Sequence, residues 1–163
     1  MAPEIRPATA EDADAIARIY NQAVLRSTAT FDEETKTAED RRQWLANRES
    51  RNPVLVVVED GVVMGWGSLS QYSERCAYDG TVEISTYIDE ACVGRGLGSA
   101  LARALIELAP TLGIHVILSR ICTENTVSLA MAAKLGFKEV GVMHEVGRKF
   151  DRWLDVAMLE LIV

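Results

Sequence analysis

The sequence predicts an α/β sandwich, a mixed β-sheet covered by helices, in one domain spanning residues 1–163. Three observations carry this expectation. Apolar residues switch along the chain between short β-type runs and the i, i+3, i+4 spacing of helices. The segments fall in the order strand, two helices, three strands, helix, strand, helix, two strands, which is not the strict alternation of a doubly wound parallel sheet. A chain of this length also buries roughly 70 % of its unfolded surface, enough for one core without staples, and no linker, repeat or low-complexity tract interrupts it.

Each element has a local reason. Residues 4–8 read as a first strand. Thr9-x-x-Asp12 forms a capping box with Asp in place of Glu, and Ile16, Ile19, Tyr20, Ala23 and Val24 follow at helical spacing until the pattern fades near Arg26. The stretch RSTATFDEET is a loop. Thr37-x-x-Asp40 then caps a second helix with Trp44 and Leu45 facing inward. After Pro53, VLVVVE is a strand, Asp60-Gly61 a hairpin turn, and VVMGWGSL the returning strand. TVEISTYID, β-branched and aromatic, is a further strand. GRGLGSALARALIELA passes from a glycine loop into a helix. IHVILSRIC is a strand, and VSLAMAAKL a helix closed by Gly136. KEVGVM and WLDVAMLELIV close the sheet.

Charge and composition narrow the function. With 17 Lys and Arg against 24 Asp and Glu, the formal net charge is −7, which argues against nucleic acid or an anionic membrane as the default partner. No apolar run approaches the roughly 18 residues of a spanning helix, and the acidic N-terminus differs from a signal peptide. Cys76, Cys92 and Cys122 are scattered, so they read as small semi-buried hydrophobes of a protein in a reducing, cytoplasmic compartment. With His115 and His144 the only histidines and no ligand spacing, no metal site is expected.

The segment Gly94-Arg95-Gly96-Leu97-Gly98 stands between a strand and a helix. Glycines there let a ligand approach the backbone, and the first free N–H groups of the helix favour phosphate. A tight turn with no ligand is the alternative. A Walker loop is excluded because no Gly-Lys-Ser/Thr follows, and a dinucleotide loop would need glycine where Ser99 stands.

Val93-Gly94-Arg95-Gly96-Leu97-Gly98 is similar to the R/Q-x-x-G-x-G/A loop of the GNAT superfamily of N-acetyltransferases, with Val93 in the first place. Asn125-x-x-Ser128 followed by Lys134-Leu135-Gly136-Phe137 matches a second family element. Within the superfamily the chain most resembles the phosphinothricin and methionine sulfone/sulfoximine acetyltransferases. That likeness rests on Tyr20-Asn21, Thr30-Phe31, Glu34-Thr35, Arg75-x-Ala77-Tyr78-Asp79-x-Thr81-Val82-Glu83, Gly147-x-Lys149 and Trp153-x-Asp155-Val156. It implies a mostly antiparallel sheet in which one splayed strand pair holds acetyl-CoA, and by family habit a homodimer.

The resemblance also implies roles. Acetyl-CoA is expected on Thr86, Tyr87 and Ile88, on Gly94, Arg95, Gly96, Leu97, Gly98 and Ser99, and on Asn125 and Ser128. The small-molecule amine is expected among Phe31, Glu34, Arg75, Glu83, Ser85 and Lys149. Glu83, a carboxylate within the apolar run Val82-Glu83-Ile84, is the expected acceptor of the ammonium proton. Arg75 offers a planar fork for a carboxylate or phosphinate, with a solvated loop arginine as the alternative. No general acid is assigned, because Ala132 stands where relatives place Tyr or His, and Tyr87 reads as a packed or cofactor-lining residue. His144 reads as a surface histidine. Two other functions stay open. One is acetylation of a polyamine, an aminoglycoside or a protein N-terminus, which the −7 charge favours for cationic acceptors. The other is a non-catalytic acyl-CoA sensor, suggested by Val93 and Ala132.

Overall fold

Local chemistry sets the ends of the elements in the computed structural model, which describes residues 2–163. The strands are β1 (Glu4–Pro7), β2 (Val54–Glu59), β3 (Val62–Gln71), β4 (Thr81–Ile88), β5 (Val116–Cys122), β6 (Lys138–Lys149) and β7 (Arg152–Ile162). The helices are α1 (Ala13–Arg26), α2 (Ala38–Ala46), α3 (Leu97–Leu108) and α4 (Thr126–Lys134). Both capping boxes form. The Asp40 amide donates to Thr37 Oγ1 at 3.0 Å while the Thr37 amide donates to Asp40 Oδ2 at 2.7 Å. Asp12 accepts from the Thr9 amide and takes a two-pronged pair from Arg6 at 2.8 and 3.0 Å. At the β2–β3 hairpin, Asp60 and Gly61 both adopt positive φ, 50° and 79°, the backbone that a tight two-residue hairpin demands.

The seven strands form one sheet in the order β1-β2-β3-β4-β5-β7-β6. Every neighbouring pair is antiparallel except β4 with β5. The continuous apolar run of β2 reflects burial on both faces. Leu55 and Val57 join Leu97, Leu101 and Leu105 of α3 on one side. Val54, Val56 and Val58 join Ile16, Ile19 and Tyr20 of α1 on the other, with Trp44 and Leu45 of α2 packed alongside.

Two features differ from the sequence expectation, and a third was not foreseen by it. β6 continues past Met143 to Lys149 through two register irregularities, because pairing with β7 outweighs its polar, glycine-containing sequence. Cys76 is exposed, whereas Cys92 and Cys122 are buried, since Cys76 opens a single 3₁₀ turn on the β3–β4 loop. Arg41 of α2 is buried, its guanidinium carbon 4.4 Å from the Tyr20 ring centroid and 4.8 Å from that of Trp44. The placement that matters most for function is the parallel pair. β4 pairs with β5 only over Thr81–Glu83, although it stays on β3 as far as Ile88. Beyond Glu83 the two strands part.

Candidate active site

The gap between β4 and β5 opens a cleft of about 80 Å³, lined by Ser85, Thr86 and Tyr87 on one side and by Ser119, Asn125 and Ser128 on the other. The edge of β4 lacks a strand partner there, so its backbone groups need another one. Asn125 caps α4 by accepting from the Ser128 amide at 3.2 Å, which leaves its NH₂ group to donate. Ala132 lies buried against the same cleft, so no side chain there can supply a proton.

The glycine loop adjoins the end of this cleft. A Cβ on Gly98 would sit 3.5 Å from the sulfur of Met131, a cleft residue, and 3.6 Å from Ile88. Gly94 and Gly96 hold φ of 85° and 78°, and a Cβ on either would meet nothing within 4 Å. Their backbone is therefore open to solvent at the N-terminus of α3, an arrangement that fits a phosphate-bearing group. The loop is anchored before its first glycine and within it. Before it, Arg18 pairs with Asp89 at 2.5 Å and Arg26 with Glu90 at 2.6 Å, tying the preceding turn to α1. Within it, Arg95 Nη2 donates to both carboxylate oxygens of Glu59 at 2.8 Å. Leu97 is buried in the core, so only its backbone can serve a ligand. Ser99 is half-buried in the first turn of α3.

A second cavity, of about 430 Å³, adjoins the cleft and shares Ser85, Tyr87, Arg120 and Cys122 with it. Thr28–Phe31, Met143 and Val146 form its other walls. Glu83 faces this cavity at the point where the strands separate, and its Oε2 accepts from Arg120 Nη2 at 2.8 Å. Phe31 lies against Gly147 so closely that a Cβ there would fall 2.1 Å from its ring. Tyr20 braces the same loop, its hydroxyl bonding Thr30 Oγ1 at 3.0 Å and Asp32. Tyr87 packs edge-on against Tyr20 at 5.1 Å and at a tilt of 34° against Trp66 at 4.9 Å. Burial pushes the Tyr87 hydroxyl well above the usual phenol range, so it is a wall and not a ready proton donor.

Of the residues expected around the amine, the structure gathers Phe31, Glu83 and Ser85 and leaves three elsewhere. Glu34 is exposed on the α1–α2 loop, because the loop turns outward after Asp32 engages Tyr20. Arg75 is exposed where the β3–β4 loop enters its 3₁₀ turn, outside the cavity lining. Lys149 is 2 % exposed, and its ammonium donates to the carbonyls of Ala23, Ser27 and Thr30 at 3.2, 2.7 and 2.7 Å. Burial lowers its pKa. It holds the loop that walls the cavity and does not face the cavity. His144 is a surface residue bonded to Asp155 at 3.1 Å. Sequence reasoning missed Arg120, Cys122, Met143 and Val146. The only signal for Arg120 was a charge within the apolar run IHVILSRIC, a break that alternation alone treats as an outward-facing residue.

A polar-edged cleft with an open glycine loop, joined at a strand split to a cavity bearing one carboxylate, defines an enzyme that brings two substrates together for group transfer. Residues 5–158 match the family described as the acetyltransferase (GNAT) domain. The chain belongs to that family and is an N-acetyltransferase. It is 36 % identical over 163 residues to the L-methionine sulfoximine/L-methionine sulfone acetyltransferase of Pseudomonas aeruginosa, covering 99 % of this chain and 95 % of that one. It is 39 % identical over 158 residues to the L-amino acid N-acyltransferase of Escherichia coli, covering 96 % and 92 %. Its fold superposes with a TM-score of 0.95 on a phosphinothricin acetyltransferase from Sinorhizobium meliloti solved in complex with acetyl-CoA, at 30 % identity and covering 100 % and 89 % of the two chains.

Proposed function

We propose that the chain transfers the acetyl group of acetyl-CoA to the amine of a small amino-acid-like acceptor of the methionine sulfone, methionine sulfoximine or phosphinothricin type. One observation carries the reading: Glu83 stands in the larger cavity where β4 and β5 part, next to the cleft that suits the cofactor. Acetyl-CoA supplies the acetyl group as a thioester. The β4 edge at Thr86–Ile88, the glycine loop and Asn125 with Ser128 would hold its arm and phosphates.

An α-ammonium is mostly protonated at neutral pH, and only the free amine attacks a thioester. Glu83 accepts that proton, directly or through one water, while Phe31 and Ser85 place the amine toward the cleft. Backbone N–H groups of β4 polarise the carbonyl. A thiol of pKa roughly 8.5 leaves as thiolate with little help, which accords with Ala132 in place of a hydroxyl or imidazole. The three free thiols fit a reducing, cytoplasmic compartment. Val140, Met143 and Val146 exposed along the edge strand β6 suit the homodimer implied by family resemblance, which sedimentation equilibrium measures.

The test is thiol release from acetyl-CoA over a panel of amino acids, polyamines and aminoglycosides, with Glu83→Gln beside the parent. The expected result is turnover of the amino-acid analogues, with kcat lowered about 10²–10⁴-fold in the variant and acetyl-CoA affinity unchanged. Acetyl-CoA binding without turnover of any amine would establish a sensor instead.

A further inference from the structure

We infer that Arg120 is the specificity-determining residue for the acceptor, binding the carboxylate of an α-amino acid while Glu83 takes its ammonium. This rests on the acceptor reading above and narrows it to α-amino acids with a free carboxylate. Among the described residues, Arg120 is the only cationic side chain lining the larger cavity. The other cations do not line the cavity. Arg75 is exposed outside the cavity lining, Lys149 is sequestered under three carbonyls, and Arg152 grips Glu124 at 3.1 and 2.6 Å. Arg148 stacks over Trp153 at 5.6 Å.

Arg120 reaches the cavity from β5, two positions beyond Leu118, the residue level with Glu83 in the parallel register. One N–H, on Nη2, meets Glu83 at 2.8 Å. The side chain is 56 % exposed, so the rest of the guanidinium's N–H donors are free for a ligand, in a planar fork suited to a carboxylate. In an α-amino acid one carbon separates the ammonium from the carboxylate. A carboxylate and a guanidinium already in contact are complementary to that zwitterion as a unit. A polyamine brings a second cation toward Arg120, and a peptide N-terminus brings a neutral amide where the fork expects an anion. Both are disfavoured.

The experiment measures kcat and KM for methionine sulfone and for its carboxamide, in the parent and in Arg120→Gln, Arg120→Lys and Arg75→Gln, with calorimetric binding of the amino acid to each. Arg120→Gln is expected to raise KM for the amino acid about 10- to 100-fold, the worth of a charge-assisted pair, and far more than KM for the carboxamide. The parent's preference for the free acid then collapses, while Arg120→Lys keeps part of it. An equal effect on acid and amide, no effect on binding, or the selective loss appearing in Arg75→Gln instead overturns the assignment. Failure of the parent to turn over either compound overturns the acceptor reading itself, and the calorimetric comparison still decides Arg120.

Discussion

Lys149 Nζ donates a 2.7 Å hydrogen bond to the carbonyl of Thr30, a residue 119 positions earlier in the chain. The same ammonium bonds the carbonyls of Ser27 and Ala23, so the end of β6 closes the C-terminus of α1 and pins the loop that walls the larger cavity. A cation there also complements the helix dipole. The lysine expected by resemblance to meet the substrate is here bound to the backbone beside Thr28–Phe31, outside the cavity lining.

Replacing Lys149 with Met keeps the apolar stem and leaves three carbonyls without their donor. Unfolding stability should fall by roughly 2–4 kcal/mol, seen as a Tm lower by about 5–15 °C for a chain of this size. KM for the amine should rise more than the affinity for acetyl-CoA falls, because the released loop gives four residues to the larger cavity and only Ala29 to the cleft. Differential scanning calorimetry with a KM comparison checks both. An unchanged Tm would show that the carbonyls find other partners at no cost.

Gly147 supplies the space that the Phe31 ring fills. Gly147→Val places side-chain atoms where that ring stands, and the ring must move. The expected outcome is an altered order of preference among acceptors of different size, with acetyl-CoA affinity close to that of the parent. A panel of amino acids of graded side-chain volume reads this directly, and an unchanged order would remove Phe31 from the acceptor wall.

Gly96, at φ 78°, is a position where a side chain is both strained and in the way of a ligand on the open backbone. Gly96→Val should cost about 1–2 kcal/mol of stability from the left-handed backbone alone. It should weaken acetyl-CoA binding by at least tenfold in isothermal titration. A folded variant with parental acetyl-CoA affinity would show that the phosphates bind elsewhere.

The Arg6 guanidinium, with desolvation opposing it, holds the Asp12 carboxyl below the usual carboxylate range. A depressed folded-state pKa contributes stability that is complete above the unfolded value and is lost as pH falls through the folded one. Asp12→Asn should therefore be less stable than the parent by about 1.5–3 kcal/mol at neutral pH. The gap should close on acidification below about pH 4, the ordinary carboxylate range. Urea titrations at neutral and acid pH measure it, and a gap independent of pH would assign the loss to packing instead.

Element order was legible because each signal is local. The two Thr-x-x-Asp boxes, the Asp60-Gly61 turn and the apolar run of β2 each act within a few residues, and all formed as their chemistry requires. The second half of β6 was not legible, since residues 144–149 carry no strand pattern and the strand resumes only because β7 pairs with Gly147–Lys149 after an irregularity. The buried Arg41 was hidden for a similar reason. Its guanidinium lies over rings from α1 and β3 as well as over Trp44 of its own helix.

Sequence alone determined the strand that carries Glu83, the glycine loop before α3 and the capped helix behind Asn125, because turn, cap and periodicity are short-range properties of the chain. Tertiary structure alone decided which charges face the larger cavity. Arg120 reaches Glu83 across 37 residues of sequence and Lys149 reaches Thr30 across 119, while Arg75 stays outside the cavity. A charged side chain goes where its ion pairs and desolvation balance once the strands are in register. That balance depends on neighbours brought together only by the fold.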